Sequence, residues 1–296
     1  MWIPVTNKAS RPPEFFSAQV AKARRFYLDL KPSRHGPLTV VCGGCEHCTP
    51  DYEIHRSGFP YWSIEFVAQG KGTLRLKGRT YPLGPGTLFS YGPRISQDIC
   101  SDPHETLVKY FVDFTGKQAE PLLRRYGPAP GHVLQTSAPG EILDLFDDLI
   151  RNGLRDTPYS PRISVVLLEH LALKVAEAAI PYGSAGTPAF ATYRRCLQEI
   201  EDHWLHWQTL EQIAGECHID PAYLCRLFRR FDHQSPYQYL LRLKMSHAAE
   251  RLQAPGASVK QVAAELGFSD PFHFSGVFKK VMRLSPAQFA RFQHRS

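Results

Sequence analysis

Residues 209–239, TLEQIAGECHIDPAYLCRLFRRFDHQSPYQY, and residues 258–289, SVKQVAAELGFSDPFHFSGVFKKVMRLSPAQF, are two copies of one pattern. Asp220 matches Asp270, Leu224 matches Phe274, Phe228 matches Phe278, and Arg230 matches Lys280. Pro236 and Gln238 likewise match Pro286 and Gln288. Thr209 with Gln212, and Ser258 with Gln261, have capping-box spacing, so each copy is predicted to open with a helix whose orphan amides are satisfied. Ile213-Ala214 and Val262-Ala263 give that helix a small apolar face. Gly267 suits the left-handed backbone that ends it, and Cys217 or His218 takes that place in the first copy. Asp220 then caps a second helix with Pro221 at its first position, as Ser269 or Asp270 does in the other copy. Leu224, Leu227, Phe228 and Phe231 share one face of this helix. Ala222, Cys225, Arg226, Arg229 and Arg230 lie elsewhere. Two helices joined by a short turn, the second one basic, form a helix-turn-helix whose second helix enters the major groove of DNA. YLLRLKMSHAAERLQ (239–253) is predicted to be a long helix joining the copies. Such a helix would hold two reading helices at the spacing of successive grooves on one face of the duplex.

The rest of the composition sets bounds. The chain has 296 residues, 43% of them hydrophobic and 21% charged. That excludes a disordered or collagen-like chain, and the length suits two domains. The formal net charge is +7, and the basic excess is concentrated after residue 220, where a partner with negative charge is expected. No run of apolar residues is long enough to span a membrane. MWIPVTNKASRPPEFF has no apolar signal core, and seven cysteines do not pair off into a disulfide framework. A cytoplasmic protein is therefore expected.

From about 38 to 114 short apolar runs are broken by Gly and Pro. TLRL (73–76), Lys77-Gly78 and RTYPL read as a hairpin, and GTLFSYGP and TLVKYFVDF read as further strands. Many short strands imply a sandwich or barrel. Beyond 140 the period becomes helical. EILDLFDDLIRNGL carries Ile142, Leu143, Leu145, Phe146, Leu149 and Ile150 on one stripe. SVVLLEHLALKVAEAAI is a second, more apolar helix predicted to run up to Pro181. With Val165, Leu168, Leu171, Leu173 and Val175 on more than one face, it would be buried within the monomer or against the same helix of a second subunit. PYGSAGTPAF (181–190) has linker composition. The expected layout is an α+β chain: a strand-rich domain with following helices over 1–180, a linker over 181–190 and an all-α DNA-binding domain over 191–296.

LCRLFRRF, SPYQYLLRLKMSHAAERL, VAAELGFSDPFHFSGVFKK and LSPAQFARF resemble the AraC/XylS family of transcription regulators. The resemblance covers about 195–292. It implies double-stranded DNA as partner, two helix-turn-helices on one linking helix, and RNA polymerase as a further partner where the regulator is an activator, the family's commoner habit. KGTLRLKGRTYPLGPGTLFSYGP looks like a cupin segment. By resemblance, the N-terminal half is then a cupin-like barrel that binds a small-molecule effector such as a sugar, with the following helices making a homodimer. No HxH lies in 60–100, and Gln97 stands where a cupin His often follows. No cofactor is therefore expected.

The resemblance places Ala222, Cys225 and Arg226 at the base-facing positions of the first recognition helix, with Tyr223 beside them. An Arg at position 226 can hold guanine in a bidentate contact. Arg229, Arg230, Lys279 and Lys280 are expected on phosphates. The second recognition helix departs from the family: Gly276 stands where Arg is usual and Phe272 replaces a small polar residue. Its expected readers are Phe272, against a thymine methyl, with His273 and Ser275. His233 and Arg283 replace the glycine usual three residues before each proline.

Two other constellations have chemistry of their own. Cys42, Cys45 and Cys48 form CGGCEHC beside His47 and His55, a spacing that suits zinc thiolates or a redox sensor. Its bland reading is a strand and turn at the barrel rim. Cysteine-based DNA repair, which shares this type of DNA-binding domain, needs two distant cysteine pairs that the chain lacks. Tyr52, Tyr61, Trp62, Phe89 and Tyr91 read either as barrel core or as the aromatic wall of an effector pocket, with Glu65, Arg94 and Gln97 as its polar groups. No catalytic triad or phosphate loop stands out, so an enzyme is not expected.

Overall fold

A computed structural model describes residues 16–232, 234–254 and 256–292. The chain divides into two compact units between Ala185 and Gly186, inside the expected linker.

The N-terminal unit begins with nine strands: β1 (Val20–Tyr27), β2 (Thr39–Cys48), β3 (Glu53–Arg56), β4 (Trp62–Gln69), β5 (Gly72–Leu76), β6 (Arg79–Leu83), β7 (Thr87–Tyr91), β8 (Gln97–Ser101) and β9 (Val108–Thr115). Then follow α1 (Ala119–Tyr126), β10 (Val133–Thr136), α2 (Pro139–Arg155), α3 (Ser160–Ala178) and the short β11 (Ala179–Ile180). One sheet has the order β1-β2-β9-β4-β7-β10-β11, and a smaller one has the order β3-β8-β5-β6. The 73–83 hairpin forms as its sequence predicts, with Leu76 opposite Arg79. The apolar helix stops two residues earlier than predicted. Ala179 and Ile180 leave it to pair with Thr136 and Gln135 at the edge of the large sheet.

The large sheet is covered on both faces, which is why β4 and β9 read as nearly continuous apolar runs. Ile64 and Phe66 of β4, with Tyr110, Val112 and Phe114 of β9, pack under α2 and α3. The alternate residues of the same strands, among them Glu65, Lys109 and Asp113, therefore turn toward the small sheet. Between the sheets, Tyr52, Ile54, Phe59, Leu74, Phe89 and Ile99 form a second core. Gly153 lets α2 lie against β1, because a Cβ there would sit 2.2 Å from the Phe26 ring.

The C-terminal unit is helical: α4 (Pro188–His203), α5 (Leu210–Glu216), α6 (Pro221–Phe231), α7 (Pro236–Leu252), α8 (Val259–Glu265), α9 (Pro271–Met282) and α10 (Pro286–Phe292). α4 starts at Pro188, inside the stretch expected to be linker, because the Thr187 side chain caps it by accepting from the Phe190 amide. Both capping boxes form as predicted, at Thr209–Gln212 and Ser258–Gln261. Asp220 and Asp270 cap the recognition helices α6 and α9. The turn residue of the first copy is His218, at φ 52°, where the second copy has Gly267 at φ 79°. Arg283 also adopts a left-handed φ of 65°, the conformation that favours glycine at that position. His233 lies outside the described residues.

The repeat is longer than the helix-turn-helix. In the first copy the Arg195 guanidinium on α4 donates to the carbonyl of Cys217, the residue that ends α5, at 3.0 Å. In the second, Lys244 Nζ on α7 donates to the carbonyl of Leu266, which ends α8, also at 3.0 Å. Each unit is therefore three helices, with a cation from the first tied to the end of the second.

Candidate nucleic-acid interface and ligand cavity

On α6, Leu224, Leu227, Phe228 and Phe231 are buried, and Ala222, Arg226, Arg229 and Arg230 are exposed. Cys225 and Tyr223 are half-buried. The Arg226 guanidinium lies 5.5 Å from the Tyr223 ring centroid, a cation–π contact that steadies its long side chain at the helix surface. On α9, Phe274 and Phe278 are buried, and Phe272, His273, Gly276, Lys279 and Lys280 are exposed. Ser275 is half-buried, and its hydroxyl donates to the Pro271 carbonyl at 2.8 Å. Of the residues expected to meet DNA, Ala222, Arg226, Arg229, Arg230, Phe272, His273, Lys279 and Lys280 are exposed, and Tyr223, Cys225 and Ser275 are half-buried.

The N-terminal unit holds a small cleft between the two sheets, with a cavity volume of about 20 Å³, the room of a single water. Glu46, Glu65, Lys109, Asp113, Arg56 and Tyr91 line it, with the rings of Phe16, Phe59 and Phe111. Register explains the charges. Glu46 of β2 lies opposite Lys109 of β9, and Ser63 of β4 lies opposite Asp113. Lys109 Nζ is 3.0 Å from Glu46 and 3.1 Å from Glu65, all three buried. Arg25 adds a second cation on Glu46 at 2.7 Å, and the Tyr91 hydroxyl donates to Glu65 at 2.5 Å. Burial opposes ionisation of Glu46, but Lys109 and Arg25 outweigh it and hold the carboxyl below its usual value. Burial likewise opposes the charge on Lys109, and Glu46 and Glu65 outweigh it, so its pKa is raised. For Asp113 burial outweighs the Cys42 thiol and the Arg56 charge, which pull the carboxyl down, and pushes it up to about 7. The Cys42 thiol donates to its Oδ2 at 3.3 Å, while Oδ1 is buried without a hydrogen-bond partner among the described residues.

Two of the residues expected to line an effector pocket, Glu65 and Tyr91, do so. Four do not. Phe89 is buried in the inter-sheet core. Trp62 packs its ring over Gly92, where a Cβ would come within 2.3 Å of it. Arg94 is exposed at a turn with φ 65°. Gln97 is buried on β8, away from the cavity. Sequence reasoning missed Glu46, Arg56, Lys109 and Asp113. The signal was present: TLVKYFVDF places a Lys and an Asp on the same face of an otherwise apolar strand.

Cys42, Cys45 and Cys48 do not converge. Cys42 packs with Val41 and Phe111, Cys45 lies under the helices, and Cys48 lies in the inter-sheet core. Burial raises all three thiols, Cys48 to about 12, the opposite of what a thiolate ligand or sensor needs. Among the described residues no group of three His, Cys, Asp or Glu is placed to hold a metal.

A doubled DNA-reading unit, carried on one chain with a two-sheet domain that holds a polar cleft, defines a transcription regulator with a ligand-binding domain. Comparisons with known proteins agree: residues 213–291 match a helix-turn-helix domain family, and residues 44–172 match the AraC-like ligand binding domain. The arabinose operon regulatory protein of Escherichia coli K12 is 30% identical over 81% of this chain and 84% of its own. The Msm operon regulatory protein of Streptococcus mutans is 22% identical over 86% and 92%. The lactose operon transcription activator of Staphylococcus xylosus is 22% identical over 83% and 89%. The chain belongs to the AraC family of DNA-binding transcription regulators.

Proposed function

We propose that this regulator answers to a small, neutral, polyhydroxylated effector of the sugar class, bound at the open mouth of the polar cleft between the sheets and widening it on entry. The observation that carries this is the buried charge set. Glu46, Glu65 and Asp113 face Lys109, Arg25 and Arg56, so a neutral ligand leaves the balance undisturbed. The buried Asp113 carboxyl lines the cleft and is an acceptor for a ligand hydroxyl. The rings of Phe16, Phe59 and Phe111 offer apolar faces for a sugar's C–H surface. The arabinose and lactose operons in the names of two relatives point the same way.

Effector binding then shifts the population of one arrangement of the regulator, and DNA affinity follows by linkage. A homodimer is part of this reading. α3 buries Val165, Leu168, Leu171 and Val175 within the monomer but leaves Ile163, Val166 and Leu173 exposed. With His170, these follow the alternating three- and four-residue spacing of a helix-pairing seam. Contact with RNA polymerase belongs to the reading as an activator.

The test is a thermal-shift and calorimetric screen of the full chain against neutral sugars, with Asp113→Ala alongside. A sugar at about 100 Kd adds about 2.7 kcal/mol of stability, and the variant is expected to lose that gain. Absence of any sugar response would remove the sugar assignment, and a response that survives Asp113→Ala unchanged would remove the sugar from this cleft; either leaves the DNA-binding regulator in place.

A further inference from the structure

The two recognition helices meet their surroundings through corresponding positions. On α6 these are Ala222 and Arg226, and on α9 they are Phe272 and Gly276, all four exposed. Residues four apart stand side by side on a helix face. The sizes are inverted between the copies: small then long and cationic in the first, large and aromatic then nothing in the second.

Neither residue of the second pair is explained by the fold. Phe272 is 86% exposed, the most exposed large apolar side chain among the described residues. Gly276 lies within a regular helix, and a Cβ on it would meet no atom within 4 Å. Glycine is among the poorest helix formers, and here neither close packing nor an unusual backbone angle asks for it. The result is bare backbone beside a naked ring, with the exposed cations Lys279 and Lys280 one turn further on.

We infer that α9 reads thymine through its 5-methyl group. The Phe272 ring packs on the methyl, and Gly276 lets the helix backbone lie close against the base pair. In the major groove the methyl marks thymine apart from the other three bases. The lysines match the phosphates on either side of such a contact. The inference rests on the DNA-reading role assigned above. It makes the two units unlike readers: Arg226 seeks a guanine by hydrogen bonds, and Phe272 seeks a thymine by apolar contact.

The full chain is first used to select binding sites from random duplex DNA. Each thymine of the enriched site is then replaced by deoxyuridine, which keeps base pairing and removes only the methyl. One thymine, in the half of the site opposite the guanine that depends on Arg226, is expected to weaken binding about fourfold on replacement, the worth of one buried methyl-sized group. Phe272→Ala is expected to bind both forms equally. Gly276→Leu is expected to fold at least as stably and to lose tenfold or more in affinity, because its side chain fills the space the base pair needs. The inference is overturned if no thymine is methyl-sensitive, if the sensitivity persists in Phe272→Ala, or if Gly276→Leu binds as the parent does. Failure to enrich any sequence would instead bring down the DNA-reading role itself, and this inference with it.

Discussion

Lys109 touches Glu46 and Glu65 inside the barrel, and removing it would leave buried carboxylates facing each other. Breaking a buried ion pair from one side costs about 3–5 kcal/mol. Lys109→Met is therefore expected to lower the unfolding free energy of the N-terminal unit by that much, read from denaturant curves followed by the near-ultraviolet signal of its aromatics. Asp113 makes a prediction of the opposite kind. Its folded pKa is about 7 against 3.8 for the free side chain, so the folded chain holds that proton more tightly. Its contribution to stability is greatest below about pH 4 and is lost as pH rises toward 7. Unfolding curves across that range should show a downward slope in the parent that Asp113→Asn removes. If the two chains keep the same slope, the carboxyl is not held up by burial. The same two residues show what was legible in the sequence. Their alternation in TLVKYFVDF places them on one face, but the apolar face of β9 is hidden under helices whose position only the fold supplies. The inward side of the strand could therefore not be told from the outward one. Trp62, Phe89, Arg94 and Gln97 were candidates for the pocket wall by residue type, and register and turn geometry send them elsewhere.

Helix starts in the C-terminal unit are set locally, which is why Thr209, Ser258, Asp220 and Asp270 could be read directly. Ser258 alone satisfies the Gln261 amide at the head of α8. Ser258→Ala is expected to cost about 1 kcal/mol, read as a lower thermal midpoint. The tie between α7 and α8 was not legible, because it joins a side chain to a carbonyl far along the chain. Lys244 is buried against the Leu266 carbonyl, and burial lowers it from 10.5 to about 8. The unfolded chain holds that proton more tightly, so stability rises as pH climbs from about 8 to about 10.5. Lys244→Met should flatten that rise. A rise equal to the parent's in the variant would place its origin elsewhere.

Across the whole molecule, the apolar seam on α3 predicts association. Leu173→Glu is expected to convert a dimer to a monomer in sedimentation equilibrium and to leave the thermal midpoint of the barrel near that of the parent, because Leu173 is half exposed. An unchanged mass would assign those side chains to solvent. The chain divides between Ala185 and Gly186, within a stretch of linker composition, and Thr187 recruits part of that stretch into α4. The same helix has a practical consequence. A fragment cut to begin near residue 213, where the helix-turn-helix match starts, would retain both reading helices but discard α4. The Cys217 carbonyl would lose the Arg195 guanidinium, and Tyr193, Cys196 and Ile200, all buried in the intact chain, would no longer seal the first unit. Such a fragment would pair a complete second reader with a frayed first one. Its preference among DNA sites would then reflect α9 more than the intact regulator's does, whereas a fragment beginning at Gly186 would keep both readers in proportion.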